Sequence, residues 1–536
     1  MIPSRIRRLA PAAALLLGLG ACLDANPVGS SMDPDGNPTP DVSIQAWNGN
    51  IRIGVVPTAT AVTVGSAADW TFTDAATGGV LLSGTGGVSA TVTLESGSSS
   101  ETRWRLQVTC GSASAVAALQ AQAEALGHPT YTEPLSFCTR LLIGSYPLSA
   151  SFSTRTAYKN LLISQGLAAS DAFWRQITIV TGTTQYRVDT GAQQAVSTGP
   201  VVLSSSDGLV SIAGVRYRGV AEVRVNGSGT LAGINEVPME QYLYGVVPRE
   251  LPPTVYDELE AQKAQAIAAR TYGLRGLGKR ATEGYDMLAT TSDQVYGGYD
   301  AEHPLSTRAV DETRGLAATY GGSLIEALFF STSGGATANN EDVFNSAPVA
   351  YLRGVIDAQR GNSGNVLDSL RAAPGAPNLR GMKKGDFEGD WSRYHRWSFT
   401  WTADEISDVV SLYAGQDVGT VHAITITERS GSGRVKRIEY VTDAGTFVDT
   451  KDHVRTSLKY VNSSGGFSSL LSTLFVIEPV VDHRTGAVEG FRAFGGGWGH
   501  GVGLCQTGAV GMAQKGATFD EIIRFYYQDV DLTQWY

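Results

Sequence analysis

The sequence predicts an α+β, strand-rich protein built from several units. Residues 48–100 alternate apolar and polar side chains between glycines and threonines, which is the pattern of short antiparallel strands. Residues 101–182 follow the order β-α-β-β-α-β, the order of a small ferredoxin-like module. From about residue 195 the short strands resume, and one long alanine-rich helix interrupts them.

The length and composition indicate a folded protein of several domains. A chain of 536 residues exceeds what one hydrophobic core usually holds. Hydrophobic residues make up 42% of the chain and charged residues 17%, as in ordinary folded proteins. The formal net charge of −10 argues against a protein that binds nucleic-acid phosphates, because such proteins carry basic surfaces. We therefore expect no nucleic-acid partner.

The N-terminus has the features of an export signal. Three arginines precede an apolar run from Leu9 to Leu19 that is too short to span a bilayer. The run ends in Leu-Gly-Ala-Cys at Cys22, which resembles a bacterial lipobox. The resemblance implies that residues 1–22 hold a lipoprotein signal peptide and that acylated Cys22 anchors an exported protein to a membrane, facing the periplasm or cell wall. The alternative is a plain signal peptide with an incidental cysteine.

Two segments separate the signal from the first predicted module. Residues 23–45 contain four prolines among Gly, Ser, Asp and Asn, a composition that cannot bury a core, so we predict a disordered tether. Residues 46–100 are predicted to form a β-rich N-terminal part, and the module that follows is either inserted into one larger domain that reaches Tyr536 or placed before it.

Within residues 101–182 two half-repeats each run strand, Gly-Ser, helix, Gly. The helices are predicted at Ala115–Leu126, with Ser114 as a candidate N-cap, and around Thr156–Gln165. This layout resembles a SPOR domain, whose sheet binds peptidoglycan strands that lack stem peptides. The alternative is an unrelated ferredoxin-like insertion.

In a SPOR-like layout the first and third strands lie side by side and antiparallel. Cys110 ends the first of these strands and Cys138 opens the third, so a disulfide between them is possible in an oxidising compartment. Cys505 has no obvious partner in the sequence.

The segment around Glu250 combines a turn with an unusual helix. Pro252 and Pro253 prevent a helix from continuing past Glu250. A new helix is predicted to begin near Asp257, because acidic residues fill its first turns and basic residues its last. Lys263 and Arg270 fall on one face of this helix, about two turns apart. Two cations on a mostly apolar helix need polar partners, and the candidates are the Glu250 carboxylate and a substrate.

Three stretches of residues 195–536 resemble the stage II sporulation protein D (SpoIID) family and its amidase-enhancer relatives. They are YLYGVVPRELP with AQKAQAIAARTYGL, then TTSDQVYGG through FFSTSGGATANNEDVF, and finally GGGWGHGVGLCQTGAVGMAQKGATFDEIIRFYY. Members of this family are lytic transglycosylases that act on glycan strands already stripped of peptides. The resemblance implies a strand-rich catalytic domain with a glycan cleft between subdomains, in which Glu250 is the catalytic acid.

The expected chemistry needs a single carboxyl group. Ordinary glycosidases use two carboxylates. A lytic transglycosylase uses one residue to protonate the glycosidic oxygen and then to deprotonate the 6-hydroxyl of the same sugar, which closes an anhydro ring. That intramolecular nucleophile replaces the second group. The acid must begin protonated, so we expect apolar neighbours such as those in VVPRELPP to raise its pKa.

Two glycine-containing loops supply further candidates. In STSGG, the family resemblance implies that Ser331 and Ser333 donate hydrogen bonds to the glycan; a tight turn is the alternative. In GGGWGHGVGLCQTGA, Trp498 offers a face for a sugar, and His500 and Gln506 are the candidate polar groups. A structural histidine is the alternative for His500. Neither loop matches a serine-hydrolase elbow or a phosphate-binding loop.

No metal or other cofactor is expected. The seven histidines are scattered, without an HExxH motif or a Cys/His cluster at ligand spacing. Some family members bind zinc through a group that includes the histidine of FHSTSGG. This chain has Phe330 at that position, and Cys505 replaces the serine usual in the last motif.

Two functions of different classes follow from these patterns. The first is a lytic transglycosylase that cleaves MurNAc–GlcNAc bonds of denuded strands and is targeted to them by the SPOR-like module. The second is a non-catalytic glycan-binding protein that activates a cell-wall amidase, as the amidase-enhancer relatives are thought to do. Both imply glycan strands, a wall amidase and a membrane as partners.

Overall fold

A computed structural model describes residues 47–95, 99–134, 138–169, 172–181, 184–358, 367, 370, 387–389, 391–462 and 464–536. The predicted signal peptide, Cys22 and the tether lie outside these residues. The α-helices within them are α1 (Ala113–Ala125), α2 (Phe152–Ser164), α3 (Met239–Glu250), α4 (Leu259–Arg275), α5 (Pro304–Glu312), α6 (Asn340–Val343), α7 (Ala403–Ala414), α8 (Val454–Ser457), α9 (Gln506–Gln514) and α10 (Phe519–Tyr526). In the described part of the chain, none of the helices has the length and apolarity needed to cross a membrane.

Two large sheets pack face to face in the first half of the chain. One contains, in spatial order, Met287–Leu288, Asn50–Ala59, Leu231–Pro238, Val220–Val225, Val201–Ser205, Trp70–Asp74 and Val80–Gly84. The other contains Gln194–Ser197, Tyr186–Asp189, Val88–Leu94, Ala61–Ser66, Leu209–Ile212 and Val215–Arg218. Alternate residues of both sheets, such as Ile53, Phe72, Val64 and Val92, form one core between them. The prediction of strands with one buried face is confirmed.

The strand pairing changes the predicted division of the chain. Strands from 50–94 and from 186–238 alternate within the same two sheets. The β-rich part predicted at 46–100 is therefore not separate from the region predicted to begin at 195. Sequence patterns fix the strands but not which distant strands pair, and this pairing joins the two segments into one structural unit.

Residues 99–181 are an insertion between two paired strands. Leu94 lies opposite Tyr186 in an antiparallel pair, and the Glu95 amide donates to the Gln185 carbonyl at 2.9 Å. The ends of the insertion therefore lie next to each other.

The inserted module has one sheet and two helices, in the order β-α-β-β-α-β. Its strands lie in the spatial order Thr130–Pro134, Thr139–Pro147, Ser99–Gly111 and Phe173–Thr181. Leu106 and Leu141 from the sheet pack against Val116 of α1 and Leu162 of α2. The N-cap of α1 is Ser112, not Ser114, because the Ser112 hydroxyl accepts the Ala115 amide.

Cys110 and Cys138 form a disulfide within this module, with their Cα atoms 5.6 Å apart. The first and third strands that carry them are antiparallel neighbours, as the layout predicts. We expect the protein, produced in an oxidising compartment and purified, to take up two alkylating groups more after reduction than before it, measured by mass spectrometry of the denatured chain. Because a cross-link restricts the unfolded chain, replacing both cysteines by serine should cost about 2–4 kcal/mol of the module's stability. Equal alkylation before and after reduction would contradict the disulfide.

The second half of the chain builds on α3, α4 and α5 and several small sheets. The three-stranded sheets are Ser323–Leu324, Leu316–Tyr320 and Asp531–Gln534; Trp397–Thr402, Val488–Gly495 and Phe475–Val481; and Val421–Arg429, Val435–Thr442 and Gly445–Thr450. The two-stranded sheets are Phe329–Phe330 with Leu504–Cys505 and Tyr460–Val461 with Phe467–Ser468. The alanines of α4 are almost all buried, as their small side chains permit, with neighbouring elements on several sides of the helix. This central helix holds the elements around Glu250 in place.

Candidate active site

Glu250 is the last residue of α3 and is 5% exposed. The Val295 backbone amide donates to its Oε1 atom at 2.7 Å. Pro252 lies two residues further along, and since proline lacks an amide hydrogen the helix does not continue there. Glu250 is therefore a largely buried carboxyl group held at a helix end.

The loop after Glu250 is fixed by one buried glutamine. Gln262 Nε2 donates to the carbonyl of Leu251 at 2.8 Å and to that of Tyr256 at 3.0 Å. The Ser306 hydroxyl in turn donates to Gln262 Oε1 at 2.8 Å. The position of Tyr256 relative to Glu250 is thus set by hydrogen bonds from α4 and α5.

The two predicted loops lie against each other. Phe329–Phe330 and Leu504–Cys505 pair as short parallel strands, and beyond them Thr332 and Trp498 exchange backbone hydrogen bonds of 3.0 and 2.8 Å. Gly334 has a φ of +77°, and a Cβ there would lie 2.6 Å from the Gly496 carbonyl carbon. Only glycine fits this close approach.

Four half-buried aromatic rings line this region. The Tyr256 ring centroid lies 5.8 Å from that of Trp391, and the Tyr394 centroid lies 4.3 Å from that of Trp498. The tryptophan that the sequence singles out therefore has a tyrosine neighbour from the 387–396 segment. Sequence reasoning missed Tyr256, Trp391 and Tyr394; the density of aromatic residues in DWSRYHRW was the available signal.

Two regions of the chain match known protein families. Residues 227–320 match the family described as stage II sporulation protein, and residues 338–503 match a domain of unknown function, DUF8618. An uncharacterised protein of Brachyspira hyodysenteriae is 31% identical over 340 residues, which cover 62% of this chain and 77% of that protein. This chain belongs to the stage II sporulation protein D family.

Two further members of the SpoIID family come from Bacillus subtilis. Its stage II sporulation protein D is 29% identical over 318 residues, covering 56% of this chain and 76% of that protein. Its amidase enhancer is 29% identical over 312 residues, covering 55% of this chain and 40% of that protein. The names of these two relatives refer to sporulation and to the enhancement of an amidase.

The two cations of α4 have protein partners in this SpoIID-family chain. Arg270 is fully buried and forms two hydrogen bonds with the Glu240 carboxylate, at 2.9 and 2.7 Å. Lys263 pairs with Glu260 at 2.8 Å and with Glu312 at 2.7 Å. The prediction that Arg270 contacts substrate is wrong, because a glycan cannot reach it. The Lys263 charge is likewise compensated within the protein.

The predicted loop residues take different positions. Ser333 is fully buried with its hydroxyl bound to Glu388, which corrects its predicted role as a glycan contact. His500 accepts the Val502 amide at Nδ1 and lies 3.1 Å from the Phe329 carbonyl at Nε2, so the structural alternative holds for it. Ser331 is half-buried, and Gln506 bonds Gln265 of α4 at 3.3 Å. Glycan contact by Ser331, Gln506 and Trp498 stays a prediction.

A buried carboxylate, Glu388, joins these loops and was missed from the sequence. It is fully buried, and each of its two oxygens lies within hydrogen-bond distance of three donors. Those at Oε1 are Ser333 Oγ (2.9 Å), Gly334 N (2.6 Å) and His395 Nδ1 (3.0 Å), and those at Oε2 are Ser333 N (3.1 Å), Thr507 Oγ1 (2.6 Å) and Cys505 Sγ (3.2 Å). We call Glu388 with these donors the Glu388 cluster.

Glu388, Asp357 and Cys505 present three potential metal ligands within 4.8 Å of one another. The oxygens of Glu388 are already occupied by hydrogen-bond donors, so this carboxylate does not fit a metal ligand. The zinc site of some relatives does not fit either, because buried Phe330 occupies the position of its histidine. The group is better described as a polar core that stabilises the loops.

An open groove of about 860 Å³ lies elsewhere, around α5 and the turn before it. It is lined by Arg216, Tyr299, Asp300, Glu302, His303, Pro304, Thr307, Arg308, Asp311 and Glu312. Glu250 is not among these residues, so a glycan cleft at Glu250 stays a prediction.

Proposed function

We propose that this protein is a lytic transglycosylase that cleaves MurNAc–GlcNAc bonds of peptidoglycan strands lacking stem peptides. The observation that carries the proposal is Glu250, a carboxyl group 5% exposed at the end of α3 and next to the loop that carries Tyr256. Membership of the SpoIID family supports a role at the cell wall.

In the proposed reaction Glu250 first gives its proton to the glycosidic oxygen. The bond between the sugars breaks, and the positive charge that develops at the anomeric carbon is taken up by the 6-hydroxyl oxygen of the same sugar. Glu250 then accepts the hydroxyl proton, and an anhydro ring closes without water. Burial favours the protonated form needed for the first step, whereas the Val295 amide favours the ionised form reached after it.

The half-buried rings of Trp498 and Tyr394 support the choice of a carbohydrate substrate. An aromatic face packs against the apolar face of a sugar, while the polar groups around it bind hydroxyls. In this proposal the rings hold the strand and Glu250 performs the proton transfers.

Purified protein lacking the lipid anchor, incubated with peptide-free glycan strands, tests the proposal by mass spectrometry. We expect fragments that end in an anhydro sugar. The competing function is activation of a wall amidase without cleavage, which the amidase-enhancer relative favours. Retention of glycan without new ends, together with faster peptide release by an added amidase, would support that function instead.

We further propose that residues 99–181 are a ferredoxin-like, SPOR-like module that targets the enzyme to denuded strands. The sheet face opposite the helices carries the exposed ring of Tyr131 over the buried guanidinium of Arg105, and beside it Arg140 paired with Glu133, and Arg175. Arginine with an aromatic neighbour suits a sugar-rich polymer that also carries carboxylates. An N-terminal lipid on Cys22 would keep the exported protein at a membrane beside the wall.

Excision of the module separates targeting from cleavage. Because Glu95 and Gln185 already share a backbone hydrogen bond, a short turn joining them should close the hairpin without disturbing the two large sheets. We expect the shortened protein to fold and to cut soluble glycan at an unchanged rate, but to lose most of its sedimentation with amidase-treated sacculi. Unchanged sedimentation would contradict the targeting role.

A further inference from the structure

The Glu388 cluster connects three of the elements next to the aromatic rings. The STSGG loop contributes Ser333 and Gly334, the start of α9 contributes Thr507, and the segment with Trp391 and Tyr394 contributes Glu388 itself. In addition, Trp391 Nε1 donates to the Phe387 carbonyl, next to Glu388. A change at Glu388 would therefore move both the STSGG loop and the aromatic segment.

The donors around Glu388 demand an anion. Two successive backbone amides, those of Ser333 and Gly334, point at its carboxylate from a turn in which Gly334 has a positive φ. Such a turn forms a concave anion site. In glutamine an NH2 group replaces one carboxylate oxygen, and this group donates hydrogen bonds but accepts none. The donors that face this position would then have no acceptor. A side chain with the shape of glutamate but without its negative charge therefore does not satisfy these donors.

Asp357 is the second carboxyl group of this interior. It is fully buried, accepts a hydrogen bond from the Tyr526 hydroxyl at 2.7 Å, and is tied to the Glu388 segment by its carbonyl, which accepts the Phe387 amide. Its ligand atom lies within 4.8 Å of those of Glu388 and Cys505. Two carboxylates this close in a protein interior cannot both be ionised without a large penalty.

The environment decides which of the two carries the proton. Burial, together with the negative charge of Glu388, raises the pKa of Asp357 to about 7. Burial also opposes ionisation of Glu388, but the hydrogen bond and charge of His395, with the Thr507 and Cys505 hydrogen bonds, lower its pKa to about 2. Near neutral pH Glu388 is therefore charged, and Asp357 loses its proton as the pH rises past about 7.

Three other titratable groups that face this pair, Cys505, Tyr526 and Arg434, do not change charge in the same range. Burial raises the pKa of the Cys505 thiol and that of the Tyr526 hydroxyl well above their usual values. Burial lowers the pKa of Arg434, whose guanidinium donates to the Ser333 carbonyl, only to about 10. His395, which lies 3.0 Å from Glu388 Oε1, is the remaining titratable neighbour, and Asp357→Asn leaves it in place, so this variant reports the proton of Asp357 alone.

We propose that Glu388 is a positioning residue for the glycan site, and that it holds the STSGG loop and the aromatic segment in place only while Asp357 keeps its proton. The inference rests on the proposed function and adds a pH limit to it. Glu388 touches no substrate; it acts through Ser333, Gly334 and Thr507.

Two substitutions of the same kind have opposite expected effects. Glu388→Gln removes the required charge and should lower the rate of glycan cleavage at least tenfold at every pH. Asp357→Asn imitates the protonated acid, so its rate relative to wild type should be near one at pH 5.5. At pH 8 the ratio should rise to about tenfold, because a group of pKa about 7 is then roughly nine-tenths ionised in the wild type. Dividing the rate of Asp357→Asn by the wild-type rate at each pH removes every pH effect that the two proteins share.

Midpoints of thermal unfolding, measured between pH 4 and pH 9, test the role of Asp357 independently of catalytic activity. The pKa of Asp357 in the folded chain lies above the usual pKa of an aspartate, so wild-type stability should fall as the pH rises from about 4 to about 7. Asp357→Asn should flatten this part of the curve. Glu388→Gln should melt at a lower temperature than wild type at neutral pH.

Several outcomes would overturn the proposal. They are full activity of Glu388→Gln, an unchanged pH curve of melting for Asp357→Asn, or a stoichiometric metal in the purified protein that Glu388→Gln loses. If wild type cuts no glycan, the proposed function fails by itself. Glycan sedimentation and the melting curves of the Glu388→Gln and Asp357→Asn variants then still decide whether the Glu388 cluster positions the glycan site.

Discussion

Glu250→Gln should abolish the release of anhydro-ended fragments, with a rate loss of about 10²–10⁴-fold, while glycan binding is retained. The amide keeps the size of the carboxyl group and can still accept the Val295 hydrogen bond. It cannot give a proton to the glycosidic oxygen or take one from the 6-hydroxyl, and both steps of the proposed reaction depend on that transfer. Fragment release is measured by mass spectrometry and binding by sedimentation with denuded strands.

Asp257→Asn is the matched control for this experiment. Asp257 lies seven residues further along the chain, is exposed, and undergoes the same exchange of a carboxyl group for an amide. We expect its cleavage rate to stay within about twofold of wild type, because exposed substitutions away from special contacts have small effects. A Glu250→Gln protein that cleaves as fast as Asp257→Asn would rule out Glu250 as the acid, even if the chain were an enzyme.

The elements nearest to Glu250 in sequence were the predictable ones. Proline chemistry places the break after Glu250, and the charge distribution of α4 places its start within two residues of Leu259. Helix α3 was not predicted; it contains Pro248 inside its last turn. Local rules thus locate the turn that carries Glu250 but not the helix that ends there.

The contacts that span long stretches of chain could not be predicted. Trp391 and Tyr394 reach the Glu250 loop from about 140 residues away, and Glu388 bonds Thr507 across 119 residues. Nothing in the spacing of an isolated glutamate shows that six donors surround it. Such sites are set by tertiary packing, which single-sequence patterns do not encode.

The same limit explains the error at Arg270. Helical spacing correctly indicated that this arginine needs an anionic partner, and Glu250 and substrate were the candidates in view. The structure supplies Glu240, 30 residues earlier and in the first turn of α3. Arg270 and its partner lie on two different helices. The sequence therefore indicated that this cation needs an anionic partner, but not which residue provides it.

Arg270→Met should therefore destabilise the protein strongly, by about 3–5 kcal/mol of unfolding free energy. Both members of the Arg270–Glu240 pair are buried, with side chains 0% and 6% exposed, and removing one leaves the other charged and unpaired in the interior. Lys263→Met, about two turns earlier on the same helix, should cost about 1 kcal/mol or less, because its partners Glu260 and Glu312 are 31% and 37% exposed. Urea denaturation followed by tryptophan fluorescence measures both.

Adding Glu240→Gln to Arg270→Met tests the reason for the loss. If an unpaired buried carboxylate causes it, the second change should restore part of the stability, since the two effects are coupled through one contact. If Arg270 instead served the glycan, Arg270→Met would unfold at the wild-type urea concentration and bind denuded strands more weakly. Stability and glycan affinity measured on the same three variants separate the two roles. If Arg270 only holds α3 against α4, its substitution lowers the free energy of unfolding and leaves the glycan affinity of the folded fraction unaltered.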